Sequence, residues 1–253
     1  MKENKFLVVI EMNCPHCGKS ASLDISPVIE DQVKKILNKM TYEPQETELV
    51  RQCVKAGDTF FDIGANIGHY TLLAAELVGS GGKVYAFEPT PELFQKLETN
   101  IQGLNNVKSY SYAVSDKTGK TKLHYYTDTN ANRIIDVAPF LNIPLKTTKV
   151  ETIDLDSFYQ GKIDFIKADV EGSEYLVFKG AERHLKENPD IKIMFEIPDF
   201  KVVELFSFLK ELGFNLYLAK EKLEEFSIKG LNYYETIQLF KMRNNKTNIF
   251  CKR

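Results

Sequence analysis

Two hydrophobic periods alternate along this chain. Short apolar runs read as buried strands. Stretches in which apolar residues return every three or four positions read as helices with one face inward. Residues 59–61 form an apolar strand that ends at Asp62, and residues 83–87 form a second that ends at Glu88. A glycine-bearing turn and an amphipathic helix lie between them. Residues 91–103 are predicted as a helix with Leu93, Phe94, Leu97 and Ile101 inward, and 107–114 as the next strand. A tight turn at 115–120 leads to an antiparallel ribbon strand over 121–126, and a further strand returns over 149–153. Residues 127–146 carry neither period, and 124–148 read as part of a cover over the substrate. A short helix over 155–159 and a strand over 164–168, ending at Asp169, follow. Next come a helix over 174–185, a strand over 191–197 that carries Glu196, a helix over 201–212 and a strand over 214–218. A last strand is expected over 236–242, and the polar tail 243–253 reads as frayed. Strands and helices in alternation are the pattern of a doubly wound α/β sheet.

The front end does not follow that pattern. Strands at 5–12 and 21–25 flank Cys14-Pro15-His16-Cys17-Gly18, and helical spacing follows over 27–39 and 45–55. We divide the chain into 1–40, a knuckle-like hairpin with a helix, and 41–253, the main domain. Two thiols in a turn between strands resemble half a zinc knuckle, because backbone N–H groups point at the sulfurs. Cys53 sits on an apolar stripe and Cys251 is in no matching turn, so four ligands are not at hand within one chain. Three readings stand: zinc held by Cys14 and Cys17 and shared across a homodimer, a turn without metal, or a redox dithiol.

Composition narrows the class. The 253 residues are 43% hydrophobic and 27% charged, with a formal net charge of −2. That balance permits a full core and argues against nucleic acid or a membrane surface as the main partner. No run approaches the ~20 apolar residues that would span a bilayer. The apolar run near the N-terminus is too short for a signal peptide. A cytoplasmic setting is expected.

The chemistry concentrates at strand tips. The turn after the first sheet strand reads Asp62-Ile63-Gly64-Ala65-Asn66-Ile67-Gly68, not the G-x-G-x-x-G of dinucleotide sites. An acid at Asp62 would repel a pyrophosphate but suits the ammonium of an amino acid. Glu88 lies 20 residues past Gly68, where a carboxylate can accept both hydroxyls of a ribose. An amino acid joined to a ribose without phosphate is S-adenosylmethionine. The backbone around Gly64 and Gly68 would pass the methionine part and Asn66 would bond the same end. Ala113 would flank the adenine. The same features disfavour a nicotinamide oxidoreductase.

These residues, Glu88-Pro89 and the run from Ile163-Asp164-Phe165-Ile166-Lys167-Ala168-Asp169 to Val170-Glu171-Gly172, with Lys179-Gly180-Ala181 beyond, resemble the FkbM family of S-adenosylmethionine-dependent methyltransferases. The resemblance covers about 42–197, with Ser173 where many relatives have alanine. It implies a class I methyltransferase, Rossmann-like fold. That fold has a seven-stranded sheet in the order 3-2-1-4-5-7-6, strand seven antiparallel, and helices on both faces. It also implies methyl transfer to an oxygen of a sugar or natural product, so a small-molecule or glycan acceptor. Asp169 is then the preferred general base, close enough to touch the cofactor, and Glu171 a second polar contact or a cap of the next helix. Lys167 is read as pairing with an acid. No metal site is assigned. Mg²⁺ on Asp169 and Glu196, as in catechol-type enzymes, is an alternative, as is a non-catalytic cofactor-binding subunit of the same fold. His69 reads as a packing residue.

Overall fold

The computed structural model describes residues 8–13, 20–25, 43–126, 132–133, 145–197, 201–218, 224–225 and 248–253. Cys14, Cys17, the helix expected at 27–39, the strand expected at 236–242 and most of the periodless 127–146 lie outside them. Strands β1 (Val8–Asn13) and β2 (Ser20–Ile25) form the expected antiparallel hairpin, with Val8 opposite Ile25.

The main sheet is built on β3 (Thr59–Ile63), β4 (Lys83–Phe87), β5 (Val107–Tyr110), β10 (Phe165–Ala168), β11 (Lys192–Glu196), β12 (Asn215–Leu218) and β14 (Asn248–Lys252). In sequence order these are strands one, two, three, four, five, six and seven. Their spatial order is β12-β14-β11-β10-β3-β4-β5, with the short β13 (Glu224–Glu225) beyond β12. That is the 3-2-1-4-5-7-6 arrangement. Only β14 runs antiparallel between its neighbours β11 and β12. β5, β4, β3, β10 and β11 pair in parallel, and their continuous apolar character follows from cover on both faces. The short β13 pairs antiparallel with β12.

Strand alternation sorts the core into two layers. Phe61, Ile63, Phe87, Ile166, Ala168, Ile193 and Phe195 point to one side. There they pack with residues of helices α4 (Leu155–Phe158), α5 (Glu174–Lys179), α6 (Glu182–Glu187) and α7 (Val202–Glu211). Phe60, Val84, Phe165, Met194 and Phe250 point to the other, against α1 (Pro44–Cys53) and α2 (His69–Val78). Helix α3 (Pro91–Asn100) closes the sheet beyond β4 through Leu97, which is fully buried. Asp62 and Lys167 share the parity of Phe60 and Phe165. They are therefore polar residues on the α1/α2 side.

Three expectations need correction. The tail is not frayed: Ile249, Phe250 and Cys251 of β14 are buried between two strands, so three apolar residues in polar surroundings suffice when backbone partners wait on both sides. The strand over 107–114 is two strands. β4 ends opposite Tyr110, so the chain past Ser111 must find other backbone partners. As β6 (Tyr112–Val114) it pairs with β9 (Leu145–Ile153). With β7 (Gly119–Tyr126) and β8 (Asn132–Arg133) these make a separate four-stranded sheet. The helix over 174–185 breaks at Gly180, where a Cβ would lie 1.9 Å from the Ser115 carbonyl oxygen. That close crossing of chains ends α5 and starts α6.

Candidate active site

The site begins with the turn after β3. The amides of Gly64 and Ala65 both donate to the Phe87 carbonyl at 2.9 Å, which ties the turn to the end of β4. Asn66 takes a left-handed φ of 54°, and its amide donates to Glu88 Oε2 at 2.9 Å. The amide of Thr90 donates to Glu88 Oε1 at 2.8 Å. Gly68 caps α2, its own amide held by the Ala65 carbonyl at 2.8 Å. Asn100 on α3 donates to the Ile67 carbonyl at 2.8 Å. The turn is thus fixed by the protein alone.

Asp62 lies one residue inside the end of β3 rather than at its tip. It is only 1% exposed. Its Oδ2 accepts from the Thr71 hydroxyl at 2.6 Å, while Oδ1 is buried with no hydrogen-bond partner among the described residues. A buried carboxylate oxygen without a partner is costly, and it fits a cationic group brought by a ligand. Burial pushes the Asp62 carboxyl up, opposed by the positive charge of Lys167. Burial likewise raises Glu88, at 4% exposure.

Gly64 joins this half to the next. A Cβ there would lie 1.9 Å from the Asp169 carbonyl oxygen, and φ is +77°. Only glycine lets the turn after β3 lie against the end of β10. The Asp169 amide also donates to the Ile63 carbonyl at 2.9 Å.

At that end the structure gathers three acids from two strands. Carboxylate oxygens of Asp169, Glu171 and Glu196 all lie within 4.8 Å of one another, each residue half-buried. Oxygen donors at that spacing are a set a hard divalent cation accepts. Glu171 stands in the left-handed region at φ 52°, on the turn before α5, and does not cap that helix, whose N-cap is Ser173.

Lys167 is the residue that strand alternation undersold. It is 3% exposed, sits opposite Asp62 in the parallel register, and places Nζ 3.0 Å from Asp169 Oδ2. The ring of Tyr70 covers the same ammonium at 4.7 Å, and the Tyr70 hydroxyl donates to Glu43 Oε2 at 2.7 Å. The positive charge of Lys167 opposes the upward push of burial on Asp62. Its signal in the sequence is a lysine inside an otherwise apolar central strand. His69 packs edge-on against Tyr70. Burial, with Lys167 and Arg51 nearby, lowers it to about 4, so it is neutral at pH 7. Ala113 lies on β6 and packs with Leu123 and Val150 in the small sheet.

The sheet order and the acids at its carboxyl ends define a class: a Rossmann-like, S-adenosylmethionine-dependent methyltransferase. The sequence profile of the Methyltransferase FkbM domain matches residues 62–216, and the chain belongs to that family. Two curated relatives agree. One is 31-O-demethyl-FK506 methyltransferase FkbM of Streptomyces tacrolimicus, 38% identical over 30% of this chain and 29% of its own length. The other is hexuronic acid methyltransferase AglP of Haloferax volcanii, 24% identical over 80% of this chain and 78% of its own. The chain thus spans well under two thirds of the first relative. Among solved structures, a methyltransferase FkbM from Methylobacillus flagellatus KT superposes with a TM-score of 0.50 at 15% identity. That match covers 89% of this chain and 55% of the other, and shows the fold. Among the described residues no helix is long and apolar enough to cross a membrane.

Proposed function

We propose that this methyltransferase transfers its methyl group to a hydroxyl oxygen of a sugar or natural product, with Asp169 as general base. The observation that carries the reading is the contact of Gly64 with the Asp169 carbonyl, which sets a half-exposed carboxylate beside the turn that holds the donor. S-adenosylmethionine supplies a methyl already activated by its sulfonium, so the protein must orient two reactants and remove one proton. Asp62 Oδ1 fits the donor's ammonium. Glu88, still with lone pairs beyond the two amides it accepts, fits the ribose hydroxyls. Asn66 and the backbone at Gly64 and Gly68 line the methionine part. Asp169 takes the acceptor's proton as its oxygen bonds to the methyl and the carbon–sulfur bond breaks. Lys167 Nζ, 3.0 Å from Oδ2, holds that carboxylate in place. Two relatives named for 31-O-demethyl-FK506 and hexuronic acid favour a hydroxyl on a sugar or natural product over nucleic acid. The net charge of −2 and a cytoplasmic setting accord with that acceptor class.

A second reading has one observation in its favour. The spacing of Asp169, Glu171 and Glu196 would hold Mg²⁺, which would bind the acceptor oxygen and lower its proton affinity. A screen of hydroxylated acceptors with a labelled methyl donor tests both. The base reading expects turnover that survives EDTA and is lost in Asp169→Asn. Turnover abolished by EDTA and restored by Mg²⁺ would favour the metal. Label on amines alone would sink O-methylation.

A further inference from the structure

The turn between Asp169 and α5 contains a residue with no part in the chemistry above. Glu174 opens α5, yet its side chain folds back over the preceding turn. Its Oε1 accepts from the amides of both Val170 (3.2 Å) and Gly172 (3.3 Å). The residue is 1% exposed, and Oε2 is buried with no hydrogen-bond partner among the described residues. The turn it spans is one the chain would not choose. Glu171 has a φ of 52° and Gly172 of 104°. A non-glycine residue in the left-handed region costs on the order of 1 kcal/mol and persists only where its surroundings hold it. The buried Gly172 amide and the part-buried Val170 amide would also lose this acceptor without Oε1.

We propose that Glu174 is a positioning residue: one acceptor oxygen that clamps the amides of Val170 and Gly172 and so fixes where the Asp169 and Glu171 carboxylates point. The inference rests on the reading of Asp169 as the base. The arrangement separates this role from two others a buried acid could have. A proton-transfer role needs a titrating group, and a charge at the start of a helix needs an anion of either length. The clamp needs neither. It needs an oxygen at the reach of a glutamate. Glutamine supplies that oxygen, aspartate is one methylene short, and leucine fills the space without an acceptor.

The test compares Glu174→Gln, Glu174→Asp and Glu174→Leu in the full chain. Three readouts are taken: hydrogen–deuterium exchange of a peptide covering 169–174, calorimetric affinity for S-adenosylhomocysteine, and kcat on an acceptor from the labelled-methyl screen. Glu174→Gln should match the wild type in all three. Glu174→Asp and Glu174→Leu should exchange faster at 170–172 and lose roughly a hundredfold in kcat, the effect of about 1 Å of misplacement, with cofactor affinity unchanged. Should the leucine variant not fold, the glutamine and aspartate variants decide. Glutamine as impaired as leucine, or aspartate equal to wild type, overturns the clamp. If Asp169→Asn keeps full turnover while the exchange pattern appears as stated, the base reading fails and the clamp stands.

Discussion

The two halves of the site are built to different standards of closure. On the donor side, Asp62 and Glu88 are buried at 1% and 4% exposure, and their oxygens already serve Thr71, Asn66 and Thr90. On the acceptor side, the Asp169 side chain is 25% exposed, and Glu171 and Glu196 are half-buried. The first half is held by the protein's own groups, with Asp62 Oδ1 buried and lacking a hydrogen-bond partner among the described residues. The second is three half-buried acids close together, with Lys167 Nζ 3.0 Å from Asp169. Preorganisation serves a partner that never changes. Half-exposed acids beside a preorganised turn would let one framework serve different acceptors.

The contrast is not one of frame rigidity, and the largest expected effect tests that. Phe250 is buried in β14, next to the strand that carries Glu196. Phe250→Ala should cost about 3–5 kcal/mol, read as a lowered denaturation midpoint. The folded fraction should still bind S-adenosylhomocysteine as the wild type does. A small change would mean the acceptor side is loosely framed, and the comparison would lose its force. Next is Glu88→Ala, which removes a charged acceptor from the donor side. Affinity for S-adenosylhomocysteine should drop by roughly tenfold to a hundredfold in calorimetry, the worth of hydrogen bonds to a charged group. Unchanged affinity would show that Glu88 only braces the turn.

The smallest effect concerns pH. Burial pushes Glu174 up from its ordinary 4.5 to about 8. Across that window the folded chain keeps a proton that the unfolded chain releases, so this group makes stability fall as pH rises from 4.5 to 8. Glutamine does not titrate. Glu174→Gln should therefore melt higher than wild type at pH 8, with the gap closing near pH 4.5. A gap that stays constant with pH would place the proton elsewhere.

The turn proposed to hold the donor could be outlined from the sequence because it is local. Asp62, Gly64, Asn66, Gly68 and Glu88 belong to one strand–turn–helix–strand unit, and their spacing suits a ribose and an ammonium without phosphate. The sheet order followed from the family resemblance and the count of apolar runs. Asp169 and Glu196 already read together as acids for Mg²⁺, and β10 and β11 do lie side by side in parallel register, with Glu171 joining them. What escaped is non-local. Lys167 reads as pairing with an acid, but which acids it meets, Asp169 and the facing Asp62, depends on the parallel register. Strand β14 is three apolar residues in a polar tail, and its stability comes from two strands far back in the chain. Glu174 reads as an ordinary first-turn acid, since nothing in its spacing says that it folds backward onto Val170 and Gly172.

The division of labour between the halves is tested most directly by calorimetry of S-adenosylhomocysteine binding to Asp62→Asn and Asp169→Asn, side by side with wild type. The account predicts that Asp62→Asn binds much more weakly, because the donor's ammonium loses its carboxylate, while Asp169→Asn binds with unchanged affinity. Equal loss of affinity in both, or loss in Asp169→Asn alone, would contradict it.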